Sequence, residues 1–441
     1  MKFSELPQVD KILNLECFKS ALKPILTAIT HKILNEQREL LKSGKTALSK
    51  DEIIAKITDE YIKYEQSELK SLINATGVCM HTNLGRSVID ERLFERAKEI
   101  ICSYSNLEYD LQTGERGNRY DYTSRLLSAL FGCEDALIVN NNASAVFLVL
   151  NTFAKGGETI VSRGELVEIG GSFRVPDVMS ASGTELVEVG TTNKTRLSDY
   201  ENAINENTKM LLKVHRSNFD IVGFSQSVSD EQIATLGREK NLMSYYDLGS
   251  GYVGELPFGL GKDDPNVTKI LKNGINLMSF SGDKLFGSVQ CGIILGKREL
   301  IARLRKNQLL RMLRVDKVII SLFCESLKAY INKEFELITT MKQLYKSVDE
   351  LTSLATNINA NLACPCDVVQ TLTFVGGGSL PNKTLPSVAL KFGGNAQEIE
   401  AKFRACRVIG RIENGAFLLD LRSILDKDIK NLINIINKVS K

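Results

Sequence analysis

The sequence has no long apolar run, no recognisable leader and little net charge. Across its 441 residues, no apolar stretch approaches the roughly 20 residues that span a bilayer, so we expect no transmembrane helix. The opening stretch MKFSELPQVDKILNLECF contains acids at Glu5 and Asp10 and no hydrophobic core, so we expect no secretory leader. The formal net charge is +3, which neither requires nor excludes a nucleic-acid partner.

Histidine is scarce and the cysteines are scattered, which argues against a metal site. The chain has three histidines and nine cysteines, and no histidine lies near the C-x-C pair of Cys364 and Cys366. A structural zinc site needs four ligands, so we interpret this pair as two semi-buried thiols and predict no bound metal. Scattered cysteines in an odd number are typical of reduced thiols, and we therefore expect a cytoplasmic protein.

Two kinds of pattern divide the chain, which is too long for one core because single cores seldom exceed roughly 250–300 residues. Apolar residues at helical spacing predict helices in residues 1–65, with a helix start at Ser49 followed by Asp51 and Glu52. Beyond residue 85, short apolar runs alternate with helical stretches, which predicts βαβ units and a mostly parallel sheet. The predicted strands are residues 136–139, 159–161, 211–214, 242–246, 277–280 and 292–295.

The same patterns predict four segments. These are an N-terminal helical domain (1–65), a linker and active-site arm (66–87), a large α/β domain (88–330) and a small α+β domain (331–441). Residues 301–317 are strongly basic and predict one helix. The first fifty residues contain nine Lys or Arg and five Asp or Glu, which fits either a solvated helical bundle or a module that meets a polyanion.

A single lysine stands among small and apolar residues in SFSGDKLFGSVQCG. Lys284 follows a predicted strand, and ligands of parallel sheets bind at the carboxyl ends of strands. A lysine in a partly dry site has a lowered pKa, and its neutral amine forms a Schiff base with an aldehyde such as that of pyridoxal phosphate (PLP). By itself, a lysine beside an aspartate is more often a surface ion pair.

Two further features match what PLP requires. Asp247 follows the predicted strand 242–246 and lies 37 residues before Lys284, and a carboxylate there would keep the pyridine nitrogen protonated. Residues 140–144 follow a strand and open a predicted helix, whose free amides would bind phosphate, and Ser281 would add a hydroxyl. No G-x-G-x-x-G joins a strand to a helix, which excludes a nicotinamide-binding Rossmann motif.

Characteristic stretches occur in one order across nearly the whole chain. They are ELPQVDKIL, INATGVCMHTNLGRSVI, NLEYDLQTGERGNRYDY, ALIVNNNASAV, SRGELVEIGGSFRVPDVM, EVGTTNKTR, KVHRSNFDIVGF, YYDLGSG, SFSGDKLFGSVQCGII, LRMLRVDK and VGGGSLP. Together they resemble bacterial selenocysteine synthase, the L-seryl-tRNA(Sec) selenium transferase family. The resemblance implies a fold-type I PLP-dependent transferase core of the aspartate-aminotransferase type, with an N-terminal helical tRNA-binding domain and a C-terminal α+β domain.

The resemblance also implies roles for individual residues. It places the PLP lysine at Lys284, the pyridine-nitrogen acid at Asp247 and a further acid at Asp283. It places the remaining cofactor contacts at Asn140, Asn141, Asn142, Ala143, Ser144 and Ser281, the phosphate group of selenophosphate at Arg86, Arg311 and Arg314, and tRNA contacts at Lys11, Lys19, Lys23 and Lys32. His215 either contacts the cofactor or is a structural histidine, and the residues leave both open.

The implied activity is PLP-dependent β-elimination of water from seryl-tRNA(Sec) and addition of selenium from selenophosphate. The resemblance further implies active sites at subunit interfaces and a homo-oligomer of dimers, with five dimers in a ring. Two departures from the family are missing prolines before VIGRI and a less glycine-rich loop after Lys284. Two alternatives stay open: a PLP lyase or transaminase for a free amino acid, and a tRNA-binding assembly protein with a vestigial site.

Overall fold

The computed structural model describes residues 3–170, 173–262 and 265–439. The chain divides into two compact units, Met1–Ser71 and Leu72–Lys441. In the part that the structure describes, no helix is both long enough and apolar enough to cross a membrane. The four segment boundaries predicted from the sequence stay a prediction.

The first unit is helical. Its helices are α1 (Val9–Leu13), α2 (Lys23–Lys42) and α3 (Lys50–Gln66). α3 begins where the sequence predicted, because the Ser49 hydroxyl accepts a hydrogen bond from the Glu52 amide while Glu52 accepts one from the Ser49 amide. Leu26, Ile33, Ile53 and Ile57 are among the residues that form its core.

The second unit contains the remaining elements. Its helices are α4 (Glu91–Cys102), α5 (Asp121–Phe131), α6 (Asn142–Phe153), α7 (Val175–Ser182), α8 (Leu197–Ala203), α9 (Asp230–Lys240), α10 (Val267–Lys272), α11 (Arg298–Lys306), α12 (Leu310–Leu313), α13 (Lys317–Ile331), α14 (Thr339–Tyr345), α15 (Val348–Ala360), α16 (Ala396–Ala405) and α17 (Ile429–Val439). Its strands are β1 (Ile73–Asn74), β2 (Asp135–Val139), β3 (Glu158–Ser162), β4 (Glu168–Ile169), β5 (Phe173–Arg174), β6 (Glu185–Val189), β7 (Thr208–Val214), β8 (Met243–Ser250), β9 (Leu277–Ser281), β10 (Gly292–Gly296), β11 (Asp367–Gly376), β12 (Ser379–Phe392), β13 (Val408–Ile409), β14 (Arg411–Glu413) and β15 (Ala416–Asp420).

The central sheet has the strand order β2-β10-β9-β8-β7-β3-β6. Its neighbouring strands are parallel except where β10 pairs with β2 and β9. Each of the six predicted strands overlaps a strand of this sheet, and the predicted mostly parallel sheet is confirmed. Because parallel strands end at one edge, the turns after β2, β7, β8 and β9 lie along that edge, where ligands of such sheets bind.

A second sheet lies in the C-terminal part of this unit. It is antiparallel, in the order β11-β12-β15-β14. One of its cores includes Leu351, Phe403 and Leu432, which belong to α15, α16 and α17. Near the start of β11, Cys366 is half-buried as predicted, whereas Cys364 is exposed and that part of the prediction is wrong.

The basic stretch at residues 301–317 is not one helix as the sequence predicted. α11 ends at Lys306 and α12 starts at Leu310, because the Asn307 side chain accepts a hydrogen bond from the Leu309 amide at 2.9 Å. Arg311 therefore lies in the short α12, while Arg314 follows it in an extended conformation. The two arginines do not share one continuous helical face.

Candidate active site

Asp247 lies within β8, which extends beyond the predicted strand to Ser250, and Lys284 lies in the turn after the neighbouring strand β9. β8 and β9 pair in parallel, with Asp247 opposite Ser279 and Ser250 opposite Ser281, so the turn after β9 places Lys284 near Asp247. Lys284 is 5% exposed and Asp247 3% exposed, so water scarcely solvates either charge. Among the described residues, the Lys284 amine forms no hydrogen bond or ion pair.

Burial governs the protonation of both groups. Burial lowers the pKa of Lys284 below its usual range, and the charge of Arg86 lowers it further, while Asp247 and Asp283 act in the opposite direction. Burial raises the pKa of Asp247, against the hydrogen bond from Asn142 and the charge of Lys284. The lysine is thus shifted toward a neutral, nucleophilic amine at its place in the sheet.

The predicted phosphate loop lies against Asp247. The Asn142 side-chain amide donates to Asp247 Oδ1 at 2.8 Å, so the first residue of α6 contacts the acid directly. Asn141 caps α6 by accepting a hydrogen bond from the Ser144 amide, which leaves the amides of Asn142 and Ala143 without intrahelical carbonyls. Gly292 on β10 permits this approach, because a Cβ atom there would lie 2.2 Å from the Asn141 carbonyl oxygen.

Arg86 lies beside the lysine rather than on the sheet. Its guanidinium forms an ion pair with Asp283 Oδ2 at 2.9 Å, and its side chain is 32% exposed while that of Asp283 is 8% exposed. The other carboxylate oxygen of Asp283 is buried without a hydrogen-bond partner. The guanidinium of Arg86 is therefore a partly solvated cation next to Lys284, and its ion pair with Asp283 fixes one of its nitrogens.

The segment that contains Arg311 and Arg314 touches the phosphate loop through its backbone. The Asn140 amide donates to the Leu313 carbonyl at 2.9 Å, which fixes the end of α12 beside the loop. Arg311 is exposed, and the Arg314 guanidinium lies 3.7 Å from Glu108 Oε1. The backbone segment that carries both arginines is thus anchored beside the loop.

Two other predicted cofactor residues occupy the same edge of the sheet. Ser281 is the last residue of β9 and is 7% exposed. The His215 amide donates to the Asp247 carbonyl at 2.8 Å, so His215 follows β7 directly beside the acid. Its charge also lowers the pKa of Asp247, and it lines a cavity of about 460 Å³ with Lys213 and Tyr246. Whether it meets the cofactor stays a prediction.

The four lysines predicted to meet tRNA differ in what they contact within the first unit. Lys19 forms an ion pair with Glu16 at 3.3 Å. Lys23 donates to the carbonyls of Leu13 and Phe18, so it holds a turn together. In the described part of the chain, Lys11 and Lys32 form no side-chain hydrogen bond or ion pair, and both are exposed.

The unpartnered groups around Lys284 fit PLP. The Lys284 amine suits an aldehyde, and Asp247 accepts its hydrogen bonds at Oδ1, so Oδ2 is available to a pyridine N–H. The amide oxygen of Asn142 is buried without a hydrogen-bond partner, which indicates a missing donor in the pocket. The first turn of α6 supplies amides for a phosphate group.

Two residues that contact the predicted site residues were not predicted from the sequence. The Ser87 hydroxyl donates to the carbonyls of Asp283 and Lys284, and Glu108 binds Arg119 at 2.7 Å as well as approaching Arg314. Ser87 lies in NLGRSV and Glu108 in NLEYDLQ, both within stretches that carried the resemblance. Their place in these stretches was the one sign in the sequence that they could matter. A serine and a glutamate do not by themselves indicate hydrogen-bond partners so distant in sequence.

Comparisons with known proteins show which family the chain resembles over most of its length. A family model described as L-seryl-tRNA selenium transferase matches residues 72–425. Two relatives are named L-seryl-tRNA(Sec) selenium transferase. The one from Campylobacter concisus is 60% identical over 436 residues, covering 99% of this chain and 98% of that protein. The one from Campylobacter fetus subsp. fetus is 57% identical over 437 residues, with the same coverage.

A solved structure shows the same fold at low sequence identity. The structure of D-glucosaminate-6-phosphate ammonia-lyase aligns with a TM-score of 0.62 and 18% identity, covering 86% of this chain and 98% of that one. The fold class predicted from the sequence, a fold-type I α/β core, is confirmed.

Proposed function

The chain belongs to the L-seryl-tRNA selenium transferase family, and from this premise we propose that it converts seryl-tRNA(Sec) to selenocysteinyl-tRNA(Sec) with PLP as cofactor. The observation that carries the proposal is the buried pair of Lys284 and Asp247 beside the first turn of α6. A lysine with a lowered pKa, a carboxylate with one available oxygen and a helix N-terminus are the three groups that PLP requires.

The protein's residues divide the chemistry between them. PLP supplies an electron sink for negative charge at the seryl α-carbon. Asp247 would keep the pyridine nitrogen of the bound cofactor protonated, and Lys284 Nζ would take the proton from the seryl α-carbon. The β-hydroxyl then leaves as water, and selenium from selenophosphate bonds to the β-carbon. One water molecule then breaks the P–Se bond and carries the phosphoryl group away as inorganic phosphate, so the exchange balances without an oxidant or reductant.

The selenium donor meets the arginines in this proposal. Arg86, Arg311 and Arg314 bind the phosphate oxygens of selenophosphate, because guanidinium groups match such oxyanions and remain charged in a partly dry site. Arg86 already lies beside Lys284 through its ion pair with Asp283. The active unit is a homo-oligomer built from dimers, and the decameric ring and the cytoplasmic location stay predictions.

A single reaction tests the proposed function. The purified protein is incubated with PLP, seryl-tRNA(Sec) and selenophosphate, and the amino acid on the tRNA is identified by mass spectrometry. Selenocysteine on the tRNA supports the proposal. Turnover of free serine or cysteine with an unchanged seryl-tRNA would favour a lyase or transaminase instead, and protein that binds seryl-tRNA but no PLP would favour an assembly role.

The arginines of the α12 segment should affect the selenium donor and not the cofactor. We expect Arg311→Gln or Arg314→Gln to raise the KM for selenophosphate about tenfold or more, since a hydrogen bond to a charged group contributes about 1.5–3 kcal/mol. The visible absorbance of the PLP-loaded protein should stay unchanged.

Arg303 provides a matched control for this measurement. It is an exposed cation on the neighbouring α11, and its guanidinium stacks on Phe153 at 4.5 Å. Arg303→Gln should leave the KM for selenophosphate at the wild-type value. Equal KM values in all three variants would show that the α12 arginines do not bind the donor.

Replacing the exposed cations of the first unit should weaken tRNA binding and leave PLP binding unchanged. We expect the double variant Lys11→Glu/Lys32→Glu to bind seryl-tRNA more weakly and with a smaller salt dependence, because phosphate contacts release counterions. Lys23 is left intact because it holds carbonyls of the same unit. Lys63→Glu on α3 is the control, and filter binding across a salt series is the measurement. Unchanged affinity of the double variant at moderate salt would assign the first unit another role.

A further inference from the structure

Hydroxyl groups from outside the central sheet hold the turn that carries Lys284. The Ser87 hydroxyl lies 2.8 Å from the Asp283 carbonyl oxygen and 3.0 Å from that of Lys284, and the Ser87 amide donates to Asp283 at 3.3 Å. A serine hydroxyl has one proton, so it is shared between the two carbonyls. The carbonyl groups of two consecutive residues of the turn thus contact one residue, which lies 196 positions before Asp283 in the chain.

The same serine is connected to the C-terminal part of the unit. The Thr340 hydroxyl of α14 donates to the Ser87 hydroxyl at 3.2 Å. The Leu285 amide, which belongs to the same peptide group as the Lys284 carbonyl, donates to Ser250 at 3.4 Å, and Ser250 accepts a shorter bond of 2.6 Å from Ser379 of β12. The peptide group that follows Lys284 is therefore bonded to both Ser87 and Ser250, and each of these serines is bonded to an element that follows α13.

Further hydrogen bonds and close packing restrict the conformation of the rest of the turn. The Gly287 amide donates to the Lys284 carbonyl at 2.8 Å, and the Tyr330 hydroxyl donates to the Phe286 carbonyl at 2.6 Å. Gly287 has φ +74°, and a Cβ atom there would lie 2.7 Å from Ile338. The turn therefore has one compact conformation in which the carbonyls of Asp283 and Lys284 point at Ser87.

We propose that Ser87 is a positioning residue for the reaction, which holds the backbone of Lys284 and connects it to Thr340 of α14. The proposal rests on the function proposed above only in taking Lys284 as the reactive lysine. A proton-transferring amine must sit close to its productive place, because a displacement of about 1 Å can cost about 10²-fold in rate. Loss of the Ser87 hydroxyl leaves the Asp283 carbonyl with only the 3.3 Å bond from the Ser87 amide and the Lys284 carbonyl with only the bond from the Gly287 amide, and this weaker hold lets the turn move away from Asp247.

The test compares Ser87→Ala with a hydroxyl deletion at the far end of the same turn. Ser326 is fully buried and accepts a hydrogen bond from Ser288 at 2.7 Å, so Ser326→Ala also removes a hydroxyl contact of this turn without touching the peptides of Lys284. Ser87→Thr keeps the hydroxyl at a half-buried position and is the rescue variant.

Two measurements separate positioning from general stability. The first measurement uses PLP-free protein. Lys284 is acylated chemically across a pH series, and peptide mass spectrometry gives the pH midpoint of the reaction. This midpoint reports the surroundings of the amine, which faces the charges of Arg86, Asp247 and Asp283. In the loaded enzyme, kcat and the KM for seryl-tRNA report the reaction. We expect Ser87→Ala to raise the midpoint toward that of an exposed lysine and to lower kcat about 10- to 100-fold with little change in KM. Ser87→Thr should recover both.

The possible results distinguish failure of the positioning role from failure of the proposed function. A midpoint and kcat in Ser87→Ala equal to those in Ser326→Ala would overturn the proposal. A shifted midpoint in a protein that makes no selenocysteinyl-tRNA would uphold the positioning role while the proposed function fails. If Ser87→Ala does not fold, Thr340→Val removes only the bond to Ser87, and it should move the midpoint in the same direction by a smaller amount.

Discussion

Replacing Lys284 by alanine removes the visible absorbance of the PLP-loaded protein and lowers the formation of selenocysteinyl-tRNA by about 10³-fold or more, since both the covalent attachment and the proton-transferring group are lost. The lysine is 5% exposed, and among the described residues its amine forms no hydrogen bond or ion pair that the substitution would also break. Absorbance spectra and single-turnover assays measure the two effects.

Lys297→Ala is the control for this variant. Lys297 is an exposed lysine just after β10, and its replacement should leave both the spectrum and the rate at wild-type values. An unchanged visible spectrum in Lys284→Ala would contradict the assignment of the cofactor lysine.

The pH dependence of PLP attachment follows from the same burial. Only the neutral amine attacks an aldehyde, so the attachment rate rises with pH through the pKa of Lys284 and levels off above it. Because burial and then Arg86 lower this pKa, the rate should level off at a lower pH than for an exposed lysine. Arg86→Gln leaves the charge of Asp283 unpaired beside the amine, so the midpoint should move upward.

Replacing Asp247 by asparagine lowers the rate by about 10²- to 10³-fold, the size of effect found when one preorganised electrostatic partner is removed from a reacting group. Asparagine keeps an oxygen to accept from Asn142 and Gly249, so the local packing survives while the negative charge is lost. The protein should still bind PLP, and its visible spectrum should show an altered absorbance because the pyridine nitrogen is no longer kept protonated.

The same substitution should make PLP-free protein more stable at neutral pH. Burial raises the pKa of Asp247 above its unfolded value, so the folded state binds this proton more readily than the unfolded state does. The aspartate therefore costs stability at neutral pH, and this cost fades as the pH falls below the ordinary range of an aspartate. Urea unfolding at neutral and acidic pH should show an advantage of Asp247→Asn that shrinks on acidification.

Asp220 offers the matched charge control. It is an exposed acid after β7, and Asp220→Asn should leave the rate at the wild-type value. Wild-type turnover in Asp247→Asn would show that the carboxylate does not act on the pyridine nitrogen.

Hydrophobic periodicity and local capping were readable in the sequence. The apolar runs at 211–214 and 277–280 became strands of the central sheet, and the Ser49–Glu52 capping box started α3 where it was expected. The order of Asp247 before Lys284, each after a strand, was enough to place both at the carboxyl edge. These features depend on neighbouring residues, so a single sequence carries them.

The break in the basic stretch was not readable in the same way. Its charge and apolar spacing predict one helix, yet the Asn307 side chain donates to Asn151 and Thr152, which lie on α6. A contact between elements more than 150 residues apart stabilises the break at this asparagine, and helical periodicity contains no information about it.

The sequence by itself determined the class of sheet, and it predicted the edge on which the chemistry lies and the lysine and carboxylate proposed to act there. Only the tertiary structure decided which groups surround them: that Asn142 binds Asp247, that Arg86 pairs with Asp283, and that Ser87 holds the lysine turn. The physical reason is range. Periodicity and capping act over a few residues, whereas these hydrogen bonds and ion pairs join positions more than a hundred residues apart and form only when the strands have been ordered into one sheet.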